Sequence, residues 1–282
     1  MRVGYLGPKS SFTYKATKNF FKEAELSPLP TIVSTLKAIE MNQFDYCVIP
    51  IENSVEGTVH PALDFLYHQG NVPVQAEVIL PISQNLMIHP NWIGKINQLK
   101  TVKSHPQALA QTQQFLEENY SSLKQEITDS TTQAAKWLSD NKDEPAMAIA
   151  SKEAAKEYQL EIIQSDIQDM KTNQTRFWII GRKKTDFYKE KSSIFRQTIG
   201  VKMEQNQAGN LHKILSAFSW RGIDLTKIES RPLKTRLGDY FFLIDIKVEN
   251  LMLVEMALQE ITELGGEIKI FGTYFAHQPI NC

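Results

Sequence analysis

Residues 46–54 read Tyr46-Cys47-Val48-Ile49-Pro50-Ile51-Glu52-Asn53-Ser54, an apolar run that ends abruptly in polar side chains. A short run of this kind, followed by a helical stretch from about His60 to Tyr67, reads as a buried strand feeding a helix. The unit recurs. Val3-Gly4-Tyr5-Leu6 leads into Gly7-Pro8-Lys9-Ser10-Ser11-Phe12-Thr13 and a helix through about Phe21. Leu99 to Lys103 precedes Ser104-His105-Pro106-Gln107 and a helix to about Asn119. Glu126 to Thr128 precedes Asp129-Ser130-Thr131-Thr132 and a helix to Leu138, and Ala146 to Ala150 precedes Ser151 and a helix to Tyr158.

Strands alternating with helices predict an α/β fold with parallel-rich sheets covered by helices on both faces. Ligands of such sheets bind beyond the carboxyl ends of the strands, where these Ser, Thr, Asn and Gln residues gather. Each helix start adds unpaired N–H groups and a positive dipole end, suited to a carboxylate or a phosphate. Taken singly, Ser104, Ser130 and Ser151 read equally well as N-caps, with Pro106 in a first turn. The functional case rests on the set.

At 282 residues the chain exceeds one comfortable core, and two or three folding units are expected. A net charge of -1 provides no field to recruit nucleic acid or an anionic membrane, so an acidic substrate needs locally placed donors. The two cysteines, Cys47 and Cys282, lie far apart in no metal-ligand spacing, and Cys47 reads as a buried free thiol. No apolar run has membrane-span length and the N-terminus runs straight into a strand, so a cytoplasmic location is expected. No metal, phosphate-loop or cofactor motif is present, and no cofactor is expected.

Residues 183–196 turn polar and charged and read as a linker. Beyond it the periodicity gives a strand (198–203), a helix (209–220), two strands (225–231 and 240–248) joined by a turn at Leu237-Gly238-Asp239, a helix (251–264) and a last strand (268–275). This is a β-α-β-β-α-β order, the ferredoxin-like plan.

Asn173-Gln174-Thr175-Arg176-Phe177-Trp178-Ile179-Ile180 sets a hydroxyl and a guanidinium at the mouth of an apolar strand, and Arg is shaped to grip a carboxylate bidentately. Thr175-Arg176-Phe177, Pro50-Ile51-Glu52-Asn53-Ser54-Val55-Glu56-Gly57, Ser104-His105-Pro106-Gln107-Ala108-Leu109-Ala110-Gln111 and Glu229-Ser230-Arg231-Pro232 occur together, and over residues 1–277 the chain resembles prephenate dehydratase with a C-terminal ACT regulatory domain. The resemblance implies a catalytic part (1–182) of two lobes similar to periplasmic binding proteins, and an ACT domain at 197–277.

The resemblance further implies Thr175, Asn53, Ser104, Gln111 and Glu52 as catalytic residues, and substrate contacts from Arg176, Phe177, Ser11, Thr13, Ser54, Gln107, Ser130 and Thr131. Thr175 is expected to assist loss of the C4 hydroxyl of prephenate and Arg176 to hold a carboxylate, so that Arg176→Ala mainly raises KM. Gln107 and Gln111, four apart on one helix, both reach the crevice on this reading. A nucleophilic Ser104–His105 dyad is disfavoured, since adjacent residues at a helix start diverge. Phenylalanine, the expected end-product effector, falls to Gly209, Asn210, Leu211, Glu229, Ser230, Arg231 and Pro232. Asn210 stands where the family more usually has Ala, and Ser10 where it commonly has Gly. A homodimer or homotetramer through the ACT domains is implied too. An arogenate dehydratase and a non-catalytic amino-acid sensor remain the alternatives.

Overall fold

The computed structural model describes residues 1–183, 194–204, 207–234 and 238–277. The chain opens with β1 (Arg2–Leu6), α1 (Phe12–Phe20), β2 (Glu25–Leu29), α2 (Ile32–Glu40), β3 (Tyr46–Asn53), β4 (Gly57–Thr58), α3 (His60–His68) and β5 (Val74–Pro81). It then crosses to a second lobe: β6 (Asn85–Ile88), β7 (Thr101–Ser104), α4 (Pro106–Ala110), α5 (Gln113–Tyr120), β8 (Lys124–Ile127), α6 (Thr131–Asp140), β9 (Ala146–Ala150), α7 (Lys152–Glu157) and β10 (Glu161–Gln164). β11 (Gln174–Gly181) returns to the first lobe. The C-terminal unit is β12 (Ile194–Met203), α8 (Asn210–Ser219), β13 (Leu225–Pro232), β14 (Tyr240–Lys247), α9 (Leu251–Glu263) and β15 (Gly266–His277).

Each lobe centres on three parallel strands, β2-β1-β3 in the first and β8-β7-β9 in the second. The mixed α/β architecture read from the strand–helix alternation is present. Antiparallel strands complete it: β11 lies between β3 and β5, while β6 lies beside β9 and β10 beside β6. Polar contacts, one of them buried, hold the lobes together beside the cleft between them. The Ser151 hydroxyl donates to the Ser10 carbonyl at 2.9 Å, and Lys15 pairs with Glu153 at 3.1 Å.

The C-terminal unit has the β-α-β-β-α-β order read from sequence, with strands arranged β13-β14-β12-β15. It is not an appended bead. The last residues of β15 pair in parallel with β5 (Phe275 with Ala76, His277 with Val78), making one ten-stranded sheet of both units. Gly272 permits this approach, because a Cβ there would sit 2.3 Å from the Val74 carbonyl oxygen. One apolar core correspondingly spans the junction, joining Leu63, Leu66 and Trp178 to Phe241, Phe271 and Tyr274. Tyr67 stacks on Phe241 with ring centroids 3.8 Å apart.

Two boundaries differ from the sequence expectation. Ile194 to Arg196, read as linker, belong to β12, where the Phe195 ring packs on Phe275 and Arg196 pairs with Glu77; residues 184–193 of that linker lie outside the described residues. The helix read from Ser104 to Asn119 is two, α4 and α5, broken at Gln111-Thr112 where the Thr112 hydroxyl bonds back to the Ala108 carbonyl. The break ends α4 on Gln111 and leaves that side chain beside the cleft. Of the turn read at 237–239, Leu237 lies outside the described residues. Cys47 is buried as expected, and burial pushes its thiol up to about 12. No helix among the described residues is long and apolar enough to cross a membrane.

Candidate active site

Between the lobes lies a cavity of about 650 Å³. The first lobe lines it with Ser11 and Thr13 at the start of α1, Asn53 at the end of β3 and Thr175 at the start of β11. The second lobe contributes Gln107 and Gln111 from α4 and Ser130, Thr131, Thr132 and Lys136 from α6. Ser11 and Ser130 are N-caps, accepting from the backbone N–H groups of Tyr14 and Gln133, so the first turns of α1 and α6 open on the cleft. Phe12, Ile82 and Ala108 supply apolar wall.

Thr175 and Asn53 are direct cross-strand partners. The Asn53 amide Nδ2 donates to Thr175 Oγ1 at 2.9 Å. Its orientation is fixed from the other end, because Asn53 Oδ1 accepts the backbone N–H groups of Val55 (2.9 Å) and Glu56 (3.1 Å). An amide turned the other way would set its NH₂ group against two backbone N–H donors, so the carbonyl must face Val55 and Glu56 and the NH₂ group must face Thr175. The Thr175 oxygen accepts in this bond, which leaves its own proton unused by Asn53, and the residue lines the cavity.

The network continues across the cleft. Asn53 Nδ2 also donates to Asn173 Oδ1 at 2.8 Å, Asn173 Nδ2 donates to Gln111 Oε1 at 2.9 Å, and Gln84 lies at 3.4 Å from the same Gln111 oxygen. Thr175, Asn53 and Gln111 thus meet through Asn173. Neither Asn173 nor Gln84 was singled out from the sequence. Asn173 had a readable signal, since it sits two residues before Thr175 on the same side of an extended chain; Gln84 had none. Two buried oxygens of cleft-lining residues, Gln84 Oε1 and Thr132 Oγ1, have no partner among the described residues.

Several expected residues stand elsewhere. Arg176 does not line the cleft. Successive strand residues face opposite sides, so a chain that turns Thr175 into the cavity must turn Arg176 away from it. Its guanidinium meets Glu77 at 2.6 Å, Asp245 at 2.6 Å, Glu52 at 3.1 Å and the Tyr274 hydroxyl at 3.2 Å. Burial opposes the Arg176 charge, but Asp245, Tyr274 and Glu77 outweigh it and raise the pKa. Glu52 is turned away for the same reason as Arg176 and accepts from Lys227 at 2.7 Å. Phe177 shares the Thr175 side but is buried among Tyr5, Ala16 and Val78.

Ser104 is fully buried and donates to the Ile149 carbonyl at 2.6 Å, a bond inside the second sheet. The cap of α4 is His105, whose ring nitrogen accepts from the Gln107 N–H, so the two side chains diverge and form no dyad. Ser54 is exposed, accepting from the Gln174 N–H at 2.9 Å and donating to the Thr172 carbonyl at 3.3 Å; it pins the approach to β11.

In the C-terminal unit a second cavity of about 640 Å³ is lined by Gly209, Asn210, Leu211 and Ser230, with Lys202, Leu233, Tyr240 and Phe242. Glu229 and Arg231, flanking Ser230 on β13, project from the other face. Glu229 accepts from Thr58 at 2.6 Å, and Arg231 reaches His60 at 2.6 Å and Asp64 at 3.1 Å, all in the first lobe. Pro232 ends the edge strand and does not line the cavity.

Residues 3–185 match the family model described as prephenate dehydratase. The chain is 42% identical over 276 residues to the prephenate dehydratase of Lactococcus lactis subsp. cremoris (strain MG1363), covering 97% of each sequence. It is 39% identical over 284 residues to that of Bacillus subtilis (strain 168), covering 99% of this chain and 100% of the relative. Among solved structures, the prephenate dehydratase from Arthrobacter aurescens in complex with L-Phe superposes with a TM-score of 0.87 at 28% identity, covering 100% of this chain and 92% of that one.

Proposed function

The chain belongs to the prephenate dehydratase family, and on that premise we propose that its interlobe cleft converts prephenate to phenylpyruvate, water and carbon dioxide. The observation that carries the assignment of roles is the fixed Asn53 amide, which occupies the Thr175 oxygen and frees its proton for the substrate. Loss of the ring carboxylate and the C4 hydroxyl together creates an aromatic ring, so the protein needs only to ease departure of hydroxide. Thr175 donates a hydrogen bond to that oxygen and delivers a proton as the C–O bond breaks, so that water leaves, and the threonine oxygen regains its proton from solvent. A positioned acid of this kind accelerates a reaction by about 10²–10⁴-fold, or roughly 3–5 kcal/mol.

With Arg176 committed elsewhere, the carboxylate of the pyruvyl side chain falls to Lys136 and the first turn of α6. Lys136 is the one Lys or Arg among the described cleft-lining residues. The partnerless Thr132 Oγ1 sits in that same turn. A buried polar atom left without a partner costs about 1–3 kcal/mol, a penalty that bound substrate or ordered water relieves. The ring carboxylate faces the apolar wall of Phe12, Ile82 and Ala108, since gripping the group that must leave would stabilise the ground state more than the transition state.

The C-terminal unit is on this reading an ACT domain (197–277), and the lobes of the catalytic part (1–182) follow the periplasmic-binding-protein plan. Its cavity at Gly209 to Leu211 and Ser230 takes L-phenylalanine as an allosteric inhibitor, supported by the L-Phe complex of the Arthrobacter aurescens relative. ACT domains pair with one another, which makes the enzyme a homodimer or homotetramer, and the reaction is cytoplasmic. Incubating the purified chain with prephenate and, separately, arogenate, with product followed by the ultraviolet absorbance of phenylpyruvate in alkali or by chromatography of phenylalanine, tests the assignment. The expected result is the higher kcat/KM with prephenate; turnover of neither would overturn it in favour of a sensor.

A further inference from the structure

Thr175 and Arg176 serve opposite faces of β11, as Asn53 and Glu52 do on β3, and the register sets Thr175 beside Asn53 and Arg176 beside Glu52. The front pair is the proton donor and the amide that orients it. The reverse pair is held by the C-terminal unit. Asp245 accepts from Arg176 Nη1 at 2.6 Å, the Tyr274 hydroxyl from Nη2 at 3.2 Å, and Lys227 donates to Glu52 at 2.7 Å. Glu77, 0% exposed, is shared between Arg176 and Arg196 of the C-terminal unit. Three carboxylates (Glu52, Glu77, Asp245) thus interlock with three cations (Arg176, Arg196, Lys227), and Lys227 also reaches Glu229 at 3.4 Å.

From this arrangement we infer that Arg176 is a positioning residue for the reaction: gripped from behind by Asp245 and Tyr274, it fixes the pleat on which the Thr175–Asn53 hydrogen bond is built. The β11–β3 register shifts between Arg176 and Phe177, so the ladder itself is irregular next to the site and does not set the pleat alone. A cluster in which one guanidinium reaches three carboxylates, two of them buried, has few alternative arrangements, since leaving Glu77 or Asp245 unpaired in the interior is strongly unfavourable. The C-terminal unit is thus part of the support of the catalytic pair, through residues that touch no substrate.

The inference rests on the dehydratase reading of the cleft. Its test is a double-mutant cycle in the full chain, with Asp245→Asn and Tyr274→Phe each made alone and in an Asn53→Ala background. Asp245→Asn is expected to lower kcat about tenfold and Tyr274→Phe about threefold, with KM within about twofold, because displacement of a reacting group well under 1 Å acts on the chemical step. In the Asn53→Ala background, where the hydrogen bond being aligned is gone, each is expected to lower kcat by less than about twofold. Equal losses in both backgrounds, or unchanged kcat in either single variant, would overturn the inference. Should Asp245→Asn fail to fold, Tyr274→Phe removes one hydroxyl and no charge and decides the matter alone. A wild-type chain inactive on prephenate overturns both the reading and the inference, whereas an active one with additive losses overturns only the inference.

Discussion

Asn53 donates to Thr175 across 2.9 Å, and the carbonyl end of the same amide is tied to two backbone N–H groups. A side chain clamped in this way has one orientation, and it engages the threonine oxygen as an acceptor, not as a donor. Thr175→Val removes that proton while keeping the branched shape. It is expected to lower kcat by about 10²–10⁴-fold with little change in KM. Thr175→Ser, which keeps the hydroxyl, should recover most of the activity. Steady-state kinetics on prephenate checks both.

Lys136 is assigned to the carboxylate that stays on the product, so its interaction is made equally in ground and transition states. Lys136→Met is then expected to raise KM by about 10–100-fold and leave kcat within about threefold, the size of a charge-assisted hydrogen bond. A fall in kcat with unchanged KM would assign Lys136 to the chemical step instead.

Arg176→Ala is expected to destabilise rather than to weaken substrate binding, contrary to the reading from the motif alone. It would leave Asp245 with the Thr198 hydroxyl but no paired cation and Glu77 with Arg196 alone, both essentially without solvent contact, and breaking a buried pair costs about 3–5 kcal/mol. Calorimetry should show the melting temperature lowered by on the order of 10 °C.

Acid should attack the same junction. Burial raises the Asp245 pKa, but the charge and hydrogen bond of Arg176, with help from Thr198 and Arg196, lower it overall. A carboxyl whose folded pKa lies below its unfolded value stabilises the fold above about pH 4, and that contribution is lost as pH falls through the folded value. The melting temperature of the wild type is expected to drop on acidification below about pH 4, and Asp245→Asn to flatten that part of the curve.

The effector cavity is tested at Gly209, whose φ of 89° is left-handed. A side chain there costs about 1–2 kcal/mol of backbone strain and shifts the turn that begins α8. Gly209→Val is expected to weaken L-phenylalanine binding at least tenfold by calorimetric titration while sparing the uninhibited rate.

Much of the fold was legible because short apolar runs ending in hydroxyl residues announced both the strands and the helix starts. Ser130 and Ser151 are N-caps as the plain reading allowed, whereas the cap read at Ser104 is His105; Ser130 also faces the cleft, as does Ser11, a cap not read from the sequence. Ser10 has φ 69°, a left-handed backbone at the position where the motif comparison expected glycine. The error over Arg176 and Glu52 was avoidable: period-two alternation forbids both members of Thr175-Arg176, or of Glu52-Asn53, from entering one cleft. Other features had no local signal. Ser104 is polar in a strand because a carbonyl on the neighbouring strand takes its proton. Gln84 joins Gln111 only because the lobe crossover brings them together. Pairing of β15 with β5 depends on contacts about 200 residues apart.

That last pairing bears on how the molecule can be divided. The strand carrying Ala76, Glu77 and Val78 is paired at those three residues, on one flank, with the end of β15. A product cut back to the catalytic residues would expose a raw β margin ready to template aggregation, beside an interior anion stripped of its Arg196 counterion. Fragments of this protein that lack β15 should therefore precipitate where the intact chain does not.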